Sequence, residues 1–446
     1  MWAEEQRSHL EAMLGSTSFR NPRARDSGAA AILCFVAVLM APIGVESQQL
    51  RYDREYPAVD YYARLVTDPV TALQRSLASG DISLTFDEGN GYLAALLAAL
   101  AVPVESQMLV FSKTSFQERF ISPETPRALY FSDDVYVAWL HGSDFVEIGA
   151  MDPNLGPVFY TLAQTPGATP ELRREYGLCL QCHDSYGLSG GGVPRFLIGS
   201  GTTNEIGRPT SHNSWQLTTD QTPLGRRWGG WYVTGTHGSQ IHMGNVVVSV
   251  LGQPTTEGTA TNGNLTDLSD LLDTAPYLTG HSDIVALMVV EHQIHVQNVM
   301  TRASWEVQNS ASDSVTLAEV ATLAEPLVRA LLFVDEAALA GPIRGTSGFG
   351  RYFESQGLRD DEGRSLRELD LSRRLFRYPL SYLIYSEAFG ALPTTLKDRV
   401  FTRILEATSG EDESGSFDHL TAEDRSAILE ILRGTHAGFD RWLVAK

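Results

Sequence analysis

The sequence predicts an α+β fold: an N-terminal mixed region with antiparallel strands, a loop-rich middle segment and a largely helical C-terminal region. Three observations carry this reading. Between 106 and 163, short β-branched or aromatic runs alternate with Pro, Gly, Asp and Ser. Between 164 and 265, glycine and threonine become frequent and regular periodicity fades, as at Gly190-Gly191-Gly192, Gly199, Gly201 and Gly207. From 281 onward the apolar period becomes helical, with Leu, Ala, Glu and Arg prominent.

Taken in order, the chain opens with an apolar stretch over 29–40, preceded by Arg20, Arg23 and Arg25 and followed by Pro42 and Gly44. That layout is the one of an export leader. It is short for a membrane-spanning helix of about 20 residues. Residues 1–47 are therefore expected to be a signal peptide or an N-terminal anchor, with 29–45 as the membrane-anchoring alternative, and the protein to be periplasmic or otherwise exported. A start at Met13 would leave a shorter and more ordinary leader. Cys34 falls inside this stretch and lacks the small preceding residue of a lipoprotein site.

Residues 48–165 form the α+β region. Asp68-Pro69-Val70-Thr71 opens a helix, and 91–97 has a wide apolar face. Strands are expected at 108–111, 128–131, 135–140, 145–148 and 158–162. Residues 166–265 form a loop-rich segment with two further strands at 231–233 and 246–250. Residues 266–446 form the helical region, with helices over 281–308, 315–335, 366–376, 393–407 and 422–434. Asp133-Asp134 marks a turn, and the Gly345-Thr346-Ser347-Gly348-Phe349 loop a helix connection, since it has no lysine of the kind a phosphate-binding loop needs.

A chain of 446 residues, 43% hydrophobic and 20% charged, can bury a core and is not disordered in composition. Its net charge of -20 argues against a nucleic-acid partner, which needs a basic stripe. Three cysteines exclude a disulfide-rich scaffold. Once the leader is set aside, only Cys179 and Cys182 remain.

Those two belong to Cys179-Leu180-Gln181-Cys182-His183. One helical turn aims both thiols and the imidazole at the same ligand. Thioethers from Cys179 and Cys182 to the vinyl groups of one haem c, with His183 as the proximal iron ligand, account for all three residues. A zinc half-site would want a second Cys or His pair at matching spacing, and no second C-x-x-C exists. A thioredoxin-type pair would want a compact α/β unit around it.

The motif resembles the haem-attachment signature of the cytochrome c superfamily. Beyond it, Phe111-Ser112-Lys113-Thr114-Ser115-Phe116, Arg127-Ala128-Leu129-Tyr130-Phe131, the string from Arg227-Trp228-Gly229-Gly230-Trp231 to His237-Gly238, and Arg344 to Phe349 resemble a group of exported bacterial proteins with one cytochrome c motif. The resemblance implies electron transfer to a redox partner protein. The chain is several times too long for the small helical fold of a compact cytochrome c. The alternatives are a catalytic haem protein, peroxidase-like or a small-molecule oxidoreductase, and a haem-based sensor or a structural partner in an envelope complex. A single C-x-x-C-H disfavours two-haem peroxidases and multihaem reductases.

Met or His closes the iron in electron carriers, whereas an open position permits chemistry on small molecules. Met243, 60 positions after His183, is where the resemblance points for the sixth ligand, with His242 and His237 as alternatives in the same Gly-flanked string. A ligand elsewhere and an open site also remain. His292 and His295 share a helix face with Met288, and read either as satisfied core histidines or as haem or metal ligands. Arg226, Arg227, Trp228, Trp231 and Tyr232 either stack on a porphyrin and pair with its propionates or form the core face of a strand.

The leader makes a prediction of its own. Fused to a reporter that is active only after export, residues 1–50 should deliver it across the cytoplasmic membrane; a reporter that stays wholly in the cytoplasm would refute the leader.

Overall fold

The computed structural model describes residues 53–167, 169–210, 215–249, 263–310 and 316–444. The leader expected over 1–47, with its alternative anchor at 29–45, lies outside them. Asp68 opens the first helix by accepting the amides of Val70 at 2.8 Å and Thr71 at 3.0 Å, with Pro69 at the first helical position. This helix, α1 (Pro69–Ser79), ends at Gly80 in the left-handed conformation, and α2 (Leu93–Ala99) follows.

Six strands then run as an antiparallel meander: β1 (Met108–Val110), β2 (Arg127–Phe131), β3 (Val135–Trp139), β4 (Phe145–Asp152), β5 (Gly156–Ala163) and β6 (Leu172–Arg174). The five strands expected from the sequence are all among them. Their register puts Tyr130, Val137, Ile148 and Tyr160 in one cross-strand row, and all four are buried. The α1 helix meets this face, the Thr71 hydroxyl lying 2.9 Å from the Tyr160 phenol oxygen. The row on the opposite face is Leu129, Ala138, Glu147 and Thr161. Its first three members are only half-buried.

The middle segment has little regular structure, as its glycines predict. It contains two short helices, α3 (Leu180–His183) and α4 (Tyr186–Ser189), and two strand pairs. In these, β7 (Gly199–Ser200) pairs with β9 (Gln216–Leu217), and β8 (Thr203–Asn204) with β10 (Val247–Val248). The strand expected over 246–250 is thus shorter. The one expected over 231–233 does not form, because Trp228 and Gly230 take positive φ and turn the chain. The turn still lets the Phe111 amide reach the Gly230 carbonyl at 2.8 Å and the Tyr232 amide reach that of Leu109 at 2.9 Å.

The C-terminal region comprises α5 (Ile284–Ser310), α6 (Leu317–Leu331), α7 (Phe349–Ser355), α8 (Glu387–Gly390), α9 (Thr394–Ser409), α10 (Ala422–Thr435) and α11 (Asp440–Val444). Thr316 and Glu319 form a reciprocal capping box at the start of α6. Residues 366–376 are not helical. The Asp370 carboxylate takes the amides of Ser372 at 2.9 Å and Arg373 at 3.0 Å, offering the backbone a turn instead of a helix. The Leu371 amide then reaches the Arg374 carbonyl and closes that turn.

Residues 284–294 are buried on every side of α5, which makes it the central helix. One hydrophobic cluster joins residues of all three expected regions, from Val59 to Trp442. Among the described residues no helix is long and apolar enough to cross a membrane.

Asp283 fixes the start of α5. It is fully buried; one oxygen accepts the amides of Val285 and Ala286 at 2.8 and 3.3 Å. The other accepts the amides of Thr346 and Ser347 at 2.7 and 2.8 Å and the Ser347 hydroxyl at 2.9 Å. The Gly345 loop is therefore the connection the sequence predicts, held by a carboxylate far away in sequence. Replacing Asp283 by Ala removes a cap and orphans buried donors, with an expected loss of about 3 kcal/mol or more in denaturant unfolding. A loss below about 0.5 kcal/mol would show that the cap does not anchor α5.

Candidate haem site

The motif forms a single helical turn. The His183 amide reaches the Cys179 carbonyl at 3.1 Å, and that of Asp184 reaches Leu180 at 3.0 Å. Leu180 points into the core, Cys179 is half-buried and Cys182 is exposed. The turn is held from both sides. Asp184, buried, pairs with Arg54, and the Arg195 amide donates to the His183 carbonyl at 2.9 Å.

The Nδ1 atom of His183 lies 2.6 Å from the Arg195 carbonyl oxygen, so the ring donates there and keeps its lone pair on Nε2. Metal-ligating histidines are oriented by such an outer hydrogen bond. Burial, only partly opposed by that bond, lowers the pKa of His183 and favours the neutral imidazole a metal needs. Its ring rests on Phe159 of β5, centroids 4.4 Å apart.

Cys179, Cys182 and His183 open onto one cavity of about 550 Å³, inside the range of about 300–1,000 Å³ common for cofactor sites. Its floor is the half-covered sheet face. Leu129, Ala138, Glu147 and Thr161 all line it, so at about 4.7–4.9 Å per strand the floor spans roughly 14 Å, a porphyrin-sized width. Phe145, Phe159, Phe196, Leu197, Leu188 and Trp215 make the rest of the wall largely apolar. Gly149 in β4 makes room for Phe196, whose Cε1 would lie 2.9 Å from a Cβ there. Charge enters through Lys113, Arg127 and Glu147.

The two thiols are free. Burial first, then Glu147 and Glu175, pushes Cys179 up to about 12, and burial also raises Cys182. A redox-active C-x-x-C has a lowered thiol pKa instead. Among the described residues no three His, Cys, Asp or Glu side chains are arranged to hold a metal ion by themselves. Cys179, Cys182 and His183 would suit a metal group that brings further ligands of its own.

The structure brings together Cys179, Cys182 and His183, and places the other candidates elsewhere. Met243, His242 and His237 do not line the cavity. The Met243 sulfur lies 3.8 Å from the Ser200 hydroxyl, and its amide donates to the Arg227 carbonyl. His237 is fully buried, with Nδ1 2.7 Å from the Gln240 carbonyl oxygen and its ring 4.7 Å from that of His242. Burial first, then His237, pushes His242 down to about 3. Among the described lining residues, His183 is the one Met or His. Arg226, Arg227, Trp228, Trp231 and Tyr232 do not line the cavity either; Trp228, Trp231, Tyr232 and Arg227 are buried.

His292 and His295 meet a residue the sequence did not single out. Asp220 accepts from His292 Nδ1 at 2.7 Å and His295 Nδ1 at 2.6 Å, while His292 Nε2 lies 2.8 Å from the Ser381 hydroxyl. Beside them Arg227 pairs with Glu291 at 2.9 Å. Ser381, His292 and Asp220 have the order of a hydrolytic triad, but all three are buried, which leaves no room for a substrate. Arg195, Arg127 and Glu147 were also missed; a charged residue at a half-buried strand position is the signal that could have found Glu147.

No protein-family model matches the chain, and no curated protein or solved structure matches it.

The Asp220 network makes stability depend on pH. Burial alone would lower His295, but Asp220 outweighs it and raises the pKa above the usual value. A raised folded pKa stabilises below the unfolded value of about 6.5 and loses that contribution as pH rises through the folded value. Between wild type and His295→Gln, the gap in melting temperature should therefore narrow from about pH 6 to 8. A gap that stays constant across that range would show that His295 carries no extra proton in the folded state.

Proposed function

We propose that the chain is an exported mono-haem c-type cytochrome, with Cys179 and Cys182 as the thioether residues and His183 as the proximal ligand. One observation supports this above the others. The only two cysteines beyond the leader, and an imidazole whose Nδ1 is committed to a backbone carbonyl, open onto one apolar, porphyrin-sized cavity. The bound haem supplies a reversible one-electron couple. The protein's own part is to bind the macrocycle on the sheet, orient the imidazole and exclude water from the floor. Electron transfer with a partner protein is the activity this arrangement serves, and the net charge of -20 suits a basic partner.

A second reading rests on a specific observation: His183 is the single Met or His among the described residues that line the cavity. An iron open on its sixth side is the arrangement of a peroxidase-like enzyme, a small-molecule oxidoreductase or a haem-based sensor. The sixth position thus divides the two readings, with Met243, His242 and His237 on the side of electron transfer.

Produced with a cytochrome c maturation system, the protein should keep its haem through acid-acetone extraction and denaturing electrophoresis. Cys182→Ala should weaken or abolish that attachment, and His183→Ala should lose the proximal ligand. A pigmented wild type that surrenders all its haem to extraction would be fatal to thioether attachment. In the reduced protein, a spectrum indifferent to carbon monoxide favours the electron carrier, and ready binding of the gas favours the open iron.

A further inference from the structure

Haem is lopsided: the vinyl groups that thioethers use lie on one edge of the macrocycle and the two propionate carboxylates on the opposite edge. The cavity has the same polarity. Its cysteine end lies toward β5, since His183 rests on Phe159 of that strand. Both of its cations are rooted toward the other end: Arg127 is the first residue of β2, its guanidinium reaching over to Glu147 of β4, and Lys113 lies in the loop after β1. From β5 to β2 the sheet covers three strand spacings, roughly 14 Å.

Arg127 is held but not used up. Its side chain is 13% exposed, and Nη1 donates to Glu147 at 2.9 Å. Its Nε is buried with no hydrogen-bond partner. A guanidinium carries five donors in a fixed fork that matches a carboxylate, and a buried donor without a partner is uncommon in folded proteins. Glu147 is itself fixed by the Ser115 hydroxyl and, at 3.4 Å, by the Gln117 amide nitrogen. Lys113 spends one donor on the Glu118 carbonyl at 2.8 Å, out of the three an ammonium carries.

We propose that Arg127 and Lys113 seat the haem propionates at the β2 end of the cavity, and that Glu147 is a positioning residue that aims the Arg127 fork at them; this rests on the haem reading above. The seat makes the cavity directional. A haem can enter with its vinyl edge toward Cys179 and Cys182 only if its carboxylates meet cations at the far end. The reversed orientation would leave both cations without a haem carboxylate to meet.

The test uses the full matured chain with its haem attached, comparing wild type with Arg127→Gln, Arg127→Lys, Lys113→Gln and Glu147→Gln. Arg119→Gln serves as control, its pair with Asp144 being exposed on both sides. The readouts are the propionate bending band in resonance Raman spectra and the pH dependence of the reduction potential. Loss of a cation beside a carboxylate raises the pKa of that carboxylate. The propionate inflection should move up by about one pH unit in Arg127→Gln, with the potential lowered and the Raman band shifted. Arg127→Lys should restore the charge but not the fork, and Glu147→Gln should move the Raman band as well. Lys113→Gln alters a half-buried loop residue and keeps the test open if Arg127→Gln does not fold. Covalent haem with both readouts unmoved in Arg127→Gln and Lys113→Gln overturns the seat and leaves the haem reading standing. A wild type without covalent haem overturns both.

Discussion

A six-stranded sheet has two faces to cover, and in this protein one is closed by packing while the other is left partly open. The Tyr130, Val137, Ile148 and Tyr160 row is sealed, and α1 meets it through Thr71. The Leu129, Ala138 and Glu147 row stays half-buried. An apolar floor left in water loses the free energy that its burial would contribute, about 25 cal/mol per Å². The loop-rich segment roofs that floor only in part, through residues such as Phe196, Leu197 and Trp215, and the remaining space is the cavity onto which Cys179, Cys182 and His183 open. Sheet, roof and motif thus meet at a single partly covered face.

Holding a roof without regular secondary structure requires ties across long sequence distances. The Asn298 side chain on α5 exchanges two hydrogen bonds with the Phe196 backbone, at 2.9 and 2.8 Å, and Arg302 reaches the Gly191 carbonyl at 3.0 Å. The same helix carries Gln293 and Gln297, which bond the turn between β2 and β3. These contacts make α5 the post against which sheet and roof are both positioned. Asp283 at its start and the Asp220, His292 and His295 group along its length are therefore structural in role, although their chemistry resembles that of an active site. The buried Asp283, Asp220 and His292 and the half-buried His295 are tolerated because each finds a partner.

Much of the fold was legible because the patterns were local. Alternation at 127–163 announces strands, Asp68-Pro69 a helix start, and the apolar period over 315–335 a helix. The errors were local too, but of another kind. Over 366–376 the Asp370 side chain takes the amides a helix would need, and positive φ at Trp228 and Gly230 turns the chain just before the good strand formers of 231–233. A side chain that competes with the backbone is invisible to a count of propensities.

By itself, the sequence determined the C-x-x-C-H motif, since its spacing places two thiols and an imidazole on one side of a helical turn. It also determined the order of sheet, loops and helices, because those periodicities are properties of short segments. Only the tertiary structure decided what surrounds the motif. Arg195 stands 12 positions beyond His183 and supplies the carbonyl that orients it. Met243, His242 and His237 share a string with the look of ligands, yet they pack beside Ser200, Gln240 and one another instead of on the cavity wall. Likewise Asp220 joins His292 and His295 across more than 70 positions. Which distant residues meet depends on how the sheet and α5 pack, and packing is a property of the whole chain that no local spacing encodes.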